Sequence, residues 1–214
     1  MNWIKNTLSF LLPENCLSCG KDGISLCEEC AAALPRGFSP DGKTAVALEY
    51  GDRRVKRSLW LFKYRNRRGL AKTFAGILRD TLAEELSELR QMKNFTAPLL
   101  VPMPISARRL RERGYNQAEL IAEELSVLFG GELPLLTDVL IKTKHTESQV
   151  ETKSRKKRLE NLRGSFGVSD KAAVRGRNVV LLDDIVTTGA TLAEASRALK
   201  EAGVKKIFCV ALAH

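Results

Sequence analysis

Short apolar runs alternate with longer stretches of helical periodicity from residue 44 to the end of the chain. The short runs are rich in valine, leucine and isoleucine, and in most of the longer stretches apolar residues recur every three or four positions. Such an alternation is typical of a parallel sheet covered by helices. The predicted strands are 44–50, 98–103, 139–142, 178–182 and 206–211, and the predicted helices are 70–93, 116–128 and 191–202.

The first 38 residues have a different character, since they hold four of the five cysteines and end at the break Pro35-Arg36-Gly37. Residues 3–12 are apolar at near-helical spacing, but Pro13 and the cysteines follow where a signal peptide would carry small residues. This segment is therefore predicted to be a helix packed on the body of the protein. We expect a small module over 1–38 and an α/β domain over 39–214. Because no run of 18 apolar residues occurs, no membrane span is predicted and a cytoplasmic location is expected.

The four clustered cysteines are two close pairs, Cys16-x-x-Cys19 and Cys27-x-x-Cys30, separated by seven residues. Four thiolates in this arrangement are what a tetrahedral structural Zn²⁺ requires. Gly20 allows a tight turn in which backbone N–H groups point toward the sulfur atoms. In a cytosolic chain, disulfides and a duplicated redox motif are the less favoured alternatives. The pattern predicts a zinc-ribbon-like module with a structural zinc ion.

The most informative segment is 179–191, VVLLDDIVTTGAT. Its first four residues are apolar and predict a buried central strand. Asp183 and Asp184 follow at the carboxyl end, where open α/β sheets bind their ligands. The sequence TTGAT at 187–191 then leads into a helix, so that threonine hydroxyls, backbone N–H groups and the helix dipole converge around Gly189. This combination predicts a binding site for a phosphate monoester.

The two carboxylates would repel that phosphate, so they require hydroxyl groups or a metal-bound ligand. A ribose 5-phosphate satisfies both halves of the segment, because its hydroxyls can donate to Asp183 and Asp184 while the phosphate lies in the 187–191 loop. A Walker B strand is one alternative, but the chain lacks the glycine-rich P-loop that would accompany it. An ordinary strand, turn and helix is the other.

The helix after this loop is expected to begin with a capping box, in which Thr191 and Glu194 satisfy each other's backbone groups. Gly203 is expected to end it.

A second candidate site follows the strand that ends at Val101-Pro102-Met103-Pro104. Four arginines come next, and their guanidinium groups could bind phosphate oxygens in a bidentate manner. Arg109 and Arg113 are the candidates for a pyrophosphate site, and a solvated basic helix start is the alternative. The sequence RGYNQ at 113–117 indicates that a glycine geometry is used at this junction.

Further segments complete a pattern: Tyr50-Gly51, Lys63-Tyr64, HTESQ at 145–149 and RLENLRGSF at 158–166. Together with the cysteine pairs and the 179–191 loop, they make the chain resemble the ComF family of competence proteins over essentially its whole length. The resemblance implies a type I phosphoribosyltransferase fold with a small zinc-binding module, and a role with other competence proteins in the uptake of single-stranded DNA. It also implies binding of phosphoribosyl pyrophosphate with Mg²⁺ by Asp183, Asp184, Thr187, Thr188, Gly189, Ala190 and Thr191.

The basic segment 142–161 is similar to the flexible loop that closes over phosphoribosyl pyrophosphate in related enzymes. The resemblance gives it Thr146, Gln149, Arg155 and Arg158 as polar contacts of the ligand. A solvated or DNA-attracting surface explains its lysines equally well. Some ComF relatives are described as amidophosphoribosyltransferases, so a working transferase is the alternative to a binding protein. No general base stands out, since His145 and His214 are the only histidines.

The formal net charge of +10 predicts attraction to polyanions, including nucleic acids and phosphorylated ligands. Basic residues are mixed with Trp60, Phe62 and Tyr64 between residues 53 and 72, as in a groove that binds a single strand by stacking. The favoured alternative is a helix whose aromatic side chains pack inward while its charges are solvated.

Overall fold

The computed structural model describes residues 14–39, 42–143 and 162–214. The predicted helix at 3–12 lies outside these residues. So do His145 and the four predicted loop contacts, Thr146, Gln149, Arg155 and Arg158.

The centre of the protein is a sheet of four parallel strands, as the alternating pattern predicts. Strands β1 (Thr44–Leu48), β2 (Leu99–Pro102), β5 (Asn178–Ile185) and β6 (Lys206–Ala213) are arranged in the order β1-β6-β5-β2. The first five residues of β5 are buried, because the strand is central and both faces of the sheet are covered. The carboxyl ends of all four strands meet at one edge, and this edge carries Asp183 and Asp184.

One predicted strand belongs elsewhere. Residues 139–142 do not join the parallel sheet, because β3 (Leu140–Lys142) pairs with β4 (Phe166–Val168) in a separate antiparallel sheet of two strands. The sequence did not predict β4, which has only three residues and a glycine at its centre. The Thr143 N–H donates to the carbonyl of Ser165 at 2.9 Å and continues this pairing beyond β3. The two strands, which come before and after the basic segment in the sequence, therefore lie side by side.

The three predicted helices are confirmed to within one residue at each end. The described residues also form two further helices of twelve and seven residues and two shorter ones of five and four residues. None of the helices formed by residues that the structure describes combines the length and apolarity of a membrane span. The helices are α1 (Glu28–Ala32), α2 (Arg53–Tyr64), α3 (Leu70–Lys93), α4 (Ala107–Arg113), α5 (Gln117–Leu128), α6 (Lys171–Val174) and α7 (Ala190–Glu201).

Successive residues of β5 point to opposite faces of the sheet, and each face has its own core. Val180 and Leu182 belong to a cluster that contains the buried side chains of α2, α3 and α5, together with Leu26 of the cysteine module. Val179 and Leu181 belong to the other cluster, which combines buried side chains of α7 with residues of β3, β4 and the neighbouring strands. Burying a leucine or phenylalanine contributes about 1.5–3 kcal/mol, so the two cores fix the strand between them.

The start of α7 differs from the predicted capping box. Gly189, in the left-handed conformation with φ of 71°, is the N-cap residue. The helix begins at Ala190, so Thr191 is its second residue and not its cap. Glu194 is 5% exposed, and its carboxylate accepts the N–H of Gly164 at 2.6 Å and the guanidinium of Arg197. The prediction is wrong because Glu194 turns to these partners. Among the described residues, no side chain caps α7, so its first N–H groups are available to an anion.

Gly203 lies just beyond the end of α7, as predicted, with its N–H bonded to the carbonyl of Lys200 at 2.9 Å.

Candidate functional site

The predicted phosphate loop forms a small concave surface at the end of β5. It encloses a cavity of about 30 Å³, which admits a compact group but not a nucleotide. The structure brings together Asp183 and every predicted residue of the 187–191 stretch around this cavity. Its lining is Asp183, Ile185, Val186, Thr187, Thr188, Gly189, Ala190, Thr191 and Leu192.

Asp183 is partly buried at the floor of the site. Burial raises the pKa of its carboxyl to about 7, and the negative charge of Asp184 acts in the same direction. The N–H of Asp184 donates to Asp183 Oδ1 at 2.8 Å and, with the charges of Lys63 and Arg109, opposes this shift of the pKa. A ligand that donates hydroxyl hydrogen bonds would therefore relieve a carboxylate that is poorly solvated.

Asp184 points to the other face of the sheet and forms an ion pair with Lys63. Lys63 Nζ lies 2.7 Å from Asp184 Oδ2, and each side chain is 15% exposed. The lysine stands in the last turn of α2, on the flank of the buried stripe formed by Val55, Leu59 and Phe62. Sequence reasoning placed Lys63 on a basic surface and missed this role. Its position four residues after Leu59 is the signal that could have revealed it.

Arg109 and Lys142 complete the charge environment of the carboxylates. Arg109, a predicted pyrophosphate ligand on α4, is close enough to Asp183 for its charge to lower the pKa of that carboxyl. Lys142 ends β3, and burial lowers the pKa of its ammonium, as does the charge of Arg109, while Asp183 raises it. The sequence did not predict Lys142 as a site residue. Three cations from three separate elements thus act on two carboxylates.

Arg113, the other predicted pyrophosphate ligand, is bound to neighbouring side chains. One guanidinium nitrogen donates to Gln117 Oε1 at 2.7 Å, and another contacts the hydroxyl of Tyr64 at 3.4 Å. Among its described contacts, none reaches the two carboxylates. Its place in the pyrophosphate site stays a prediction.

The rest of the RGYNQ sequence organises the junction between α4 and α5. Gly114 ends α4 with φ of 81°, a conformation that favours glycine. Asn116 caps α5 by accepting the N–H of Ala118, and its amide donates to the carbonyl of Met103 at 3.0 Å. The predicted use of the glycine geometry is confirmed, and the asparagine ties α5 to the exit of β2.

Two of the three aromatic side chains of α2 are exposed. Phe62 is fully buried, whereas Trp60 is 46% exposed and Tyr64 is 59% exposed. The favoured expectation of inward packing is therefore right for Phe62 and wrong for the other two, which lie four residues apart on the outer side of the helix. Their ring centroids are 6.3 Å apart, and the guanidiniums of Arg65 and Arg113 lie 5.1 and 5.2 Å from the rings of Trp60 and Tyr64. We call Trp60, Tyr64, Arg65 and Arg113 the aromatic face.

His214 also lies at the phosphate loop, although no pattern in the sequence singles it out. Its Nε2 is 3.2 Å from the carbonyl oxygen of Thr187. The backbone N–H of His214 donates to Leu48, which fixes the end of β6 against β1.

The four predicted zinc ligands form one cluster. All four sulfur atoms lie within 4.8 Å of one another, and none of the cysteines is in a disulfide. Cys27 Sγ is 3.8 Å from the sulfur of Cys16 and 3.6 Å from that of Cys19. Burial raises the pKa of Cys16, but the backbone N–H groups of Cys19, Cys27 and Ser18 outweigh it and lower that pKa to about 6. The expected turn of N–H groups toward sulfur is therefore present.

We expect the substitution Asp183→Asn to stabilise the ligand-free protein above neutral pH. An unfolded aspartate titrates near pH 3.8, whereas Asp183 in the folded chain titrates at about 7. Between these values only the folded state holds the proton, so Asp183 lowers the stability as the pH rises from about 4 to about 7. Urea unfolding between pH 4 and 8 should show a variant that is similar to the wild type at pH 4, gains stability relative to it up to about pH 7, and levels off above that. Asp80→Asn, at an exposed carboxylate, is the control, and an identical change in both variants would contradict the assignment.

Residues 110–214 match a family profile described as a phosphoribosyl transferase domain. Competence protein F from Haemophilus influenzae is 30% identical over 193 residues, which are 90% of this chain and 81% of that protein. Competence protein ComFC from Bacillus subtilis is 34% identical over 151 residues, covering 70% of this chain and 55% of that protein. DNA utilization protein YhgH from Salmonella typhimurium is 25% identical over 198 residues, which are 90% and 85% of the two chains. The chain has a four-cysteine cluster near its N-terminus and a phosphoribosyltransferase domain C-terminal to it, and it belongs to the ComF family of competence proteins.

Proposed function

We propose that this chain binds phosphoribosyl pyrophosphate with Mg²⁺ at the end of β5 and acts in the handling of single-stranded DNA during uptake. One observation carries the proposal. Two carboxylates lie directly beside a concave loop, and this loop leads into a helix whose first N–H groups are not capped by a side chain of the described residues. The 5′-phosphate would lie in the 187–191 loop. The ribose hydroxyls would donate to Asp183 and Asp184.

The charges around the site support a ligand with a second anionic group. Lys63, Arg109 and Lys142 supply three positive charges against two carboxylates, so the partly buried site carries an excess of positive charge. A diphosphate on C1 of the ribose would balance that excess. Arg109 is the described candidate to bind it, while Gln149 and Arg158 remain predictions outside the described residues.

Magnesium fits the donor set only as a partner of the ligand. Within the described part of the chain, Asp183 and Asp184 are not accompanied by a third acidic or histidine ligand, so the protein offers no cage of its own. One or two carboxylates are enough for Mg²⁺, because this ion usually keeps several waters and is held mainly through substrate phosphates. When bound, it would neutralise part of the diphosphate charge.

A working phosphoribosyltransferase is the alternative function. In that reaction a nucleophile forms a bond to C1 of the ribose, the bond from C1 to the diphosphate oxygen breaks, and pyrophosphate leaves with both bonding electrons. The protein would contribute positioning by the 187–191 loop and stabilisation of the leaving charge by Arg109. Pyrophosphate release with ammonia, glutamine or nucleobases as acceptors would establish transfer, and binding without release would favour the binding protein.

Thermal unfolding tests the binding proposal. Phosphoribosyl pyrophosphate with Mg²⁺ at about 100 times its dissociation constant should add about 2.7 kcal/mol to the stability of the folded state. The double variant Asp183→Asn, Asp184→Asn should lose this gain, because each charged carboxylate that accepts from the ribose hydroxyls becomes a neutral amide with one acceptor oxygen fewer. Asp80→Asn should keep the gain. If the double variant shifts as much as the wild type, the ligand does not bind at this site.

We also propose that the four cysteines hold a structural zinc ion. A tetrahedral ion with zinc–sulfur bonds of about 2.3 Å separates its sulfur ligands by about 3.8 Å. The sulfur distances of 3.8 and 3.6 Å to Cys27 match that edge. Four protein ligands close the coordination shell, so the ion would stabilise the fold and not act on substrate.

Metal analysis of reduced protein should find about one zinc ion per chain. Cys19→Ser should lower that content and the unfolding temperature, because it removes one ligand of the cluster. Cys209→Ser is the matched control, since Cys209 lies in β6 away from the cluster. Equal zinc content in all three proteins would contradict the four-cysteine site.

The aromatic face is the surface that best supports direct binding of single-stranded DNA. Two exposed rings with guanidiniums over them offer stacking positions for bases and positive charge for the backbone. Arg67 and Arg68 are engaged elsewhere, since Arg67 pairs with Glu14 at 2.9 Å and Arg68 lies over the ring of Tyr115.

Replacing Trp60 and Tyr64 by alanine should weaken binding of a single-stranded oligonucleotide by about tenfold or more at each position, because stacking on each ring is lost. The dependence of affinity on salt should change little, since no phosphate contact is removed. Arg65→Ala should reduce that dependence. Met92→Ala, at an exposed apolar residue on α3, is the control. Unchanged affinity in the double variant would exclude the aromatic face.

A further inference from the structure

The position of Lys63 is fixed more firmly than that of an ordinary surface lysine. Its neighbour Phe62 is fully buried, and the Phe62 carbonyl accepts a hydrogen bond from the Tyr115 hydroxyl. The Lys63 side chain itself is 15% exposed and reaches Asp184 at 2.7 Å. A long, flexible side chain is thus held in one place before any ligand arrives, which is the preorganisation that ligand-binding groups need.

The ammonium of Lys63 has donors to spare. It carries three N–H donors, and Asp184 is its one ion-pair partner among the residues that the structure describes. The carboxylate of Asp184 likewise has two oxygens that can accept several hydrogen bonds. Lys63 can therefore keep its contact with Asp184 and bind an anionic oxygen at the same time, while Asp184 accepts a ribose hydroxyl.

The pleat of β5 shows which end of the ligand this ammonium would meet. Asp183 lines the cavity of the 187–191 loop, where the 5′-phosphate is expected. Asp184 is the next residue of the strand and points to the opposite face, toward α2 and Lys63. A ribose that spans both carboxylates with its 5′-phosphate in the loop would turn its C1 substituent away from that loop, toward the side on which Lys63 lies.

A diphosphate beside Asp184 would be repelled by the carboxylate unless a cation stood between them. Lys63 is in contact with Asp184 already and occupies a partly buried position in which charges are weakly screened. If the ion pair of Lys63 and Asp184 had no ligand to bind, it would add little to the stability of the fold, because desolvation offsets much of the attraction between its charges.

From these observations we propose that Lys63 is a ligand-binding residue, whose ammonium bridges Asp184 and an oxygen of a diphosphate on C1 of the bound ribose. The inference rests on the proposed function and deepens it. Lys63 selects sugars that carry this diphosphate over plain sugar phosphates. The competing role is that of a counterion, which neutralises Asp184 and touches no ligand.

The two roles predict different changes in the affinities for two ligands when Lys63 is replaced. Lys63→Met should weaken binding of phosphoribosyl pyrophosphate with Mg²⁺ by about tenfold or more, because a charge-assisted hydrogen bond is lost. Binding of ribose 5-phosphate should fall by less than about threefold, since this ligand has no diphosphate to contact. Lys63→Arg should recover part of the selectivity. Titration calorimetry with both ligands measures the ratio of affinities.

Controls keep the outcomes distinct. Lys56→Met removes an exposed lysine from the same helix and should leave the ratio unchanged. If Lys63→Met does not fold, Lys63→Gln replaces it, because the amide can still donate to Asp184 without the positive charge. An equal loss of affinity for both ligands, or no loss for either, overturns the proposal while the proposed function stands. A wild-type protein that binds neither ligand overturns both.

Discussion

Two negative charges at the end of a buried strand are the constraint around which this protein is organised. β5 is covered on both faces, so Asp183 and Asp184 leave the core on opposite sides and each meets a different environment. Asp183 is poorly solvated and holds its proton unusually tightly, whereas Asp184 is neutralised by a lysine. The surrounding elements then follow: α2, α4 and β3 each bring one cation to the same edge of the sheet. The site is therefore a product of the whole domain and not of one loop.

The sequence predicts the central parts of this arrangement because they are local. The buried strand, the two carboxylates, the loop that follows and the helix beyond it are contiguous between residues 178 and 203, so their pattern needs no knowledge of the fold. The cysteine pairs are local in the same sense, and the structure brings them together as expected. The ends of the three predicted helices are marked by their own residues, such as Asn116 and Gly203.

What the sequence does not predict depends on contacts between distant segments. Lys63 and Lys142 look like ordinary basic residues until the sheet brings their elements to Asp183 and Asp184. Glu194 has the spacing of a helix cap, yet its carboxylate accepts hydrogen bonds from the Gly164 N–H and the Arg197 guanidinium instead. The sequence alone does not show that Trp60 and Tyr64 are exposed while Phe62 is buried, because the side of α2 on which each residue lies follows only once the start of the helix is known. At Lys63, Lys142 and Glu194, a partner that is distant in sequence or in the fold decides what the side chain does.

The ion pair of Lys63 and Asp184 has a consequence for how this sequence can diverge. Replacing either residue alone leaves a partly buried charge without its counterion, which is costly, whereas replacing both by neutral residues leaves none. We therefore expect the two positions to change together, although they lie on different elements and far apart along the chain. A lineage that lost the acidic residue would be released from keeping the lysine, and it would also have given up half of the carboxylate pair on which the site depends.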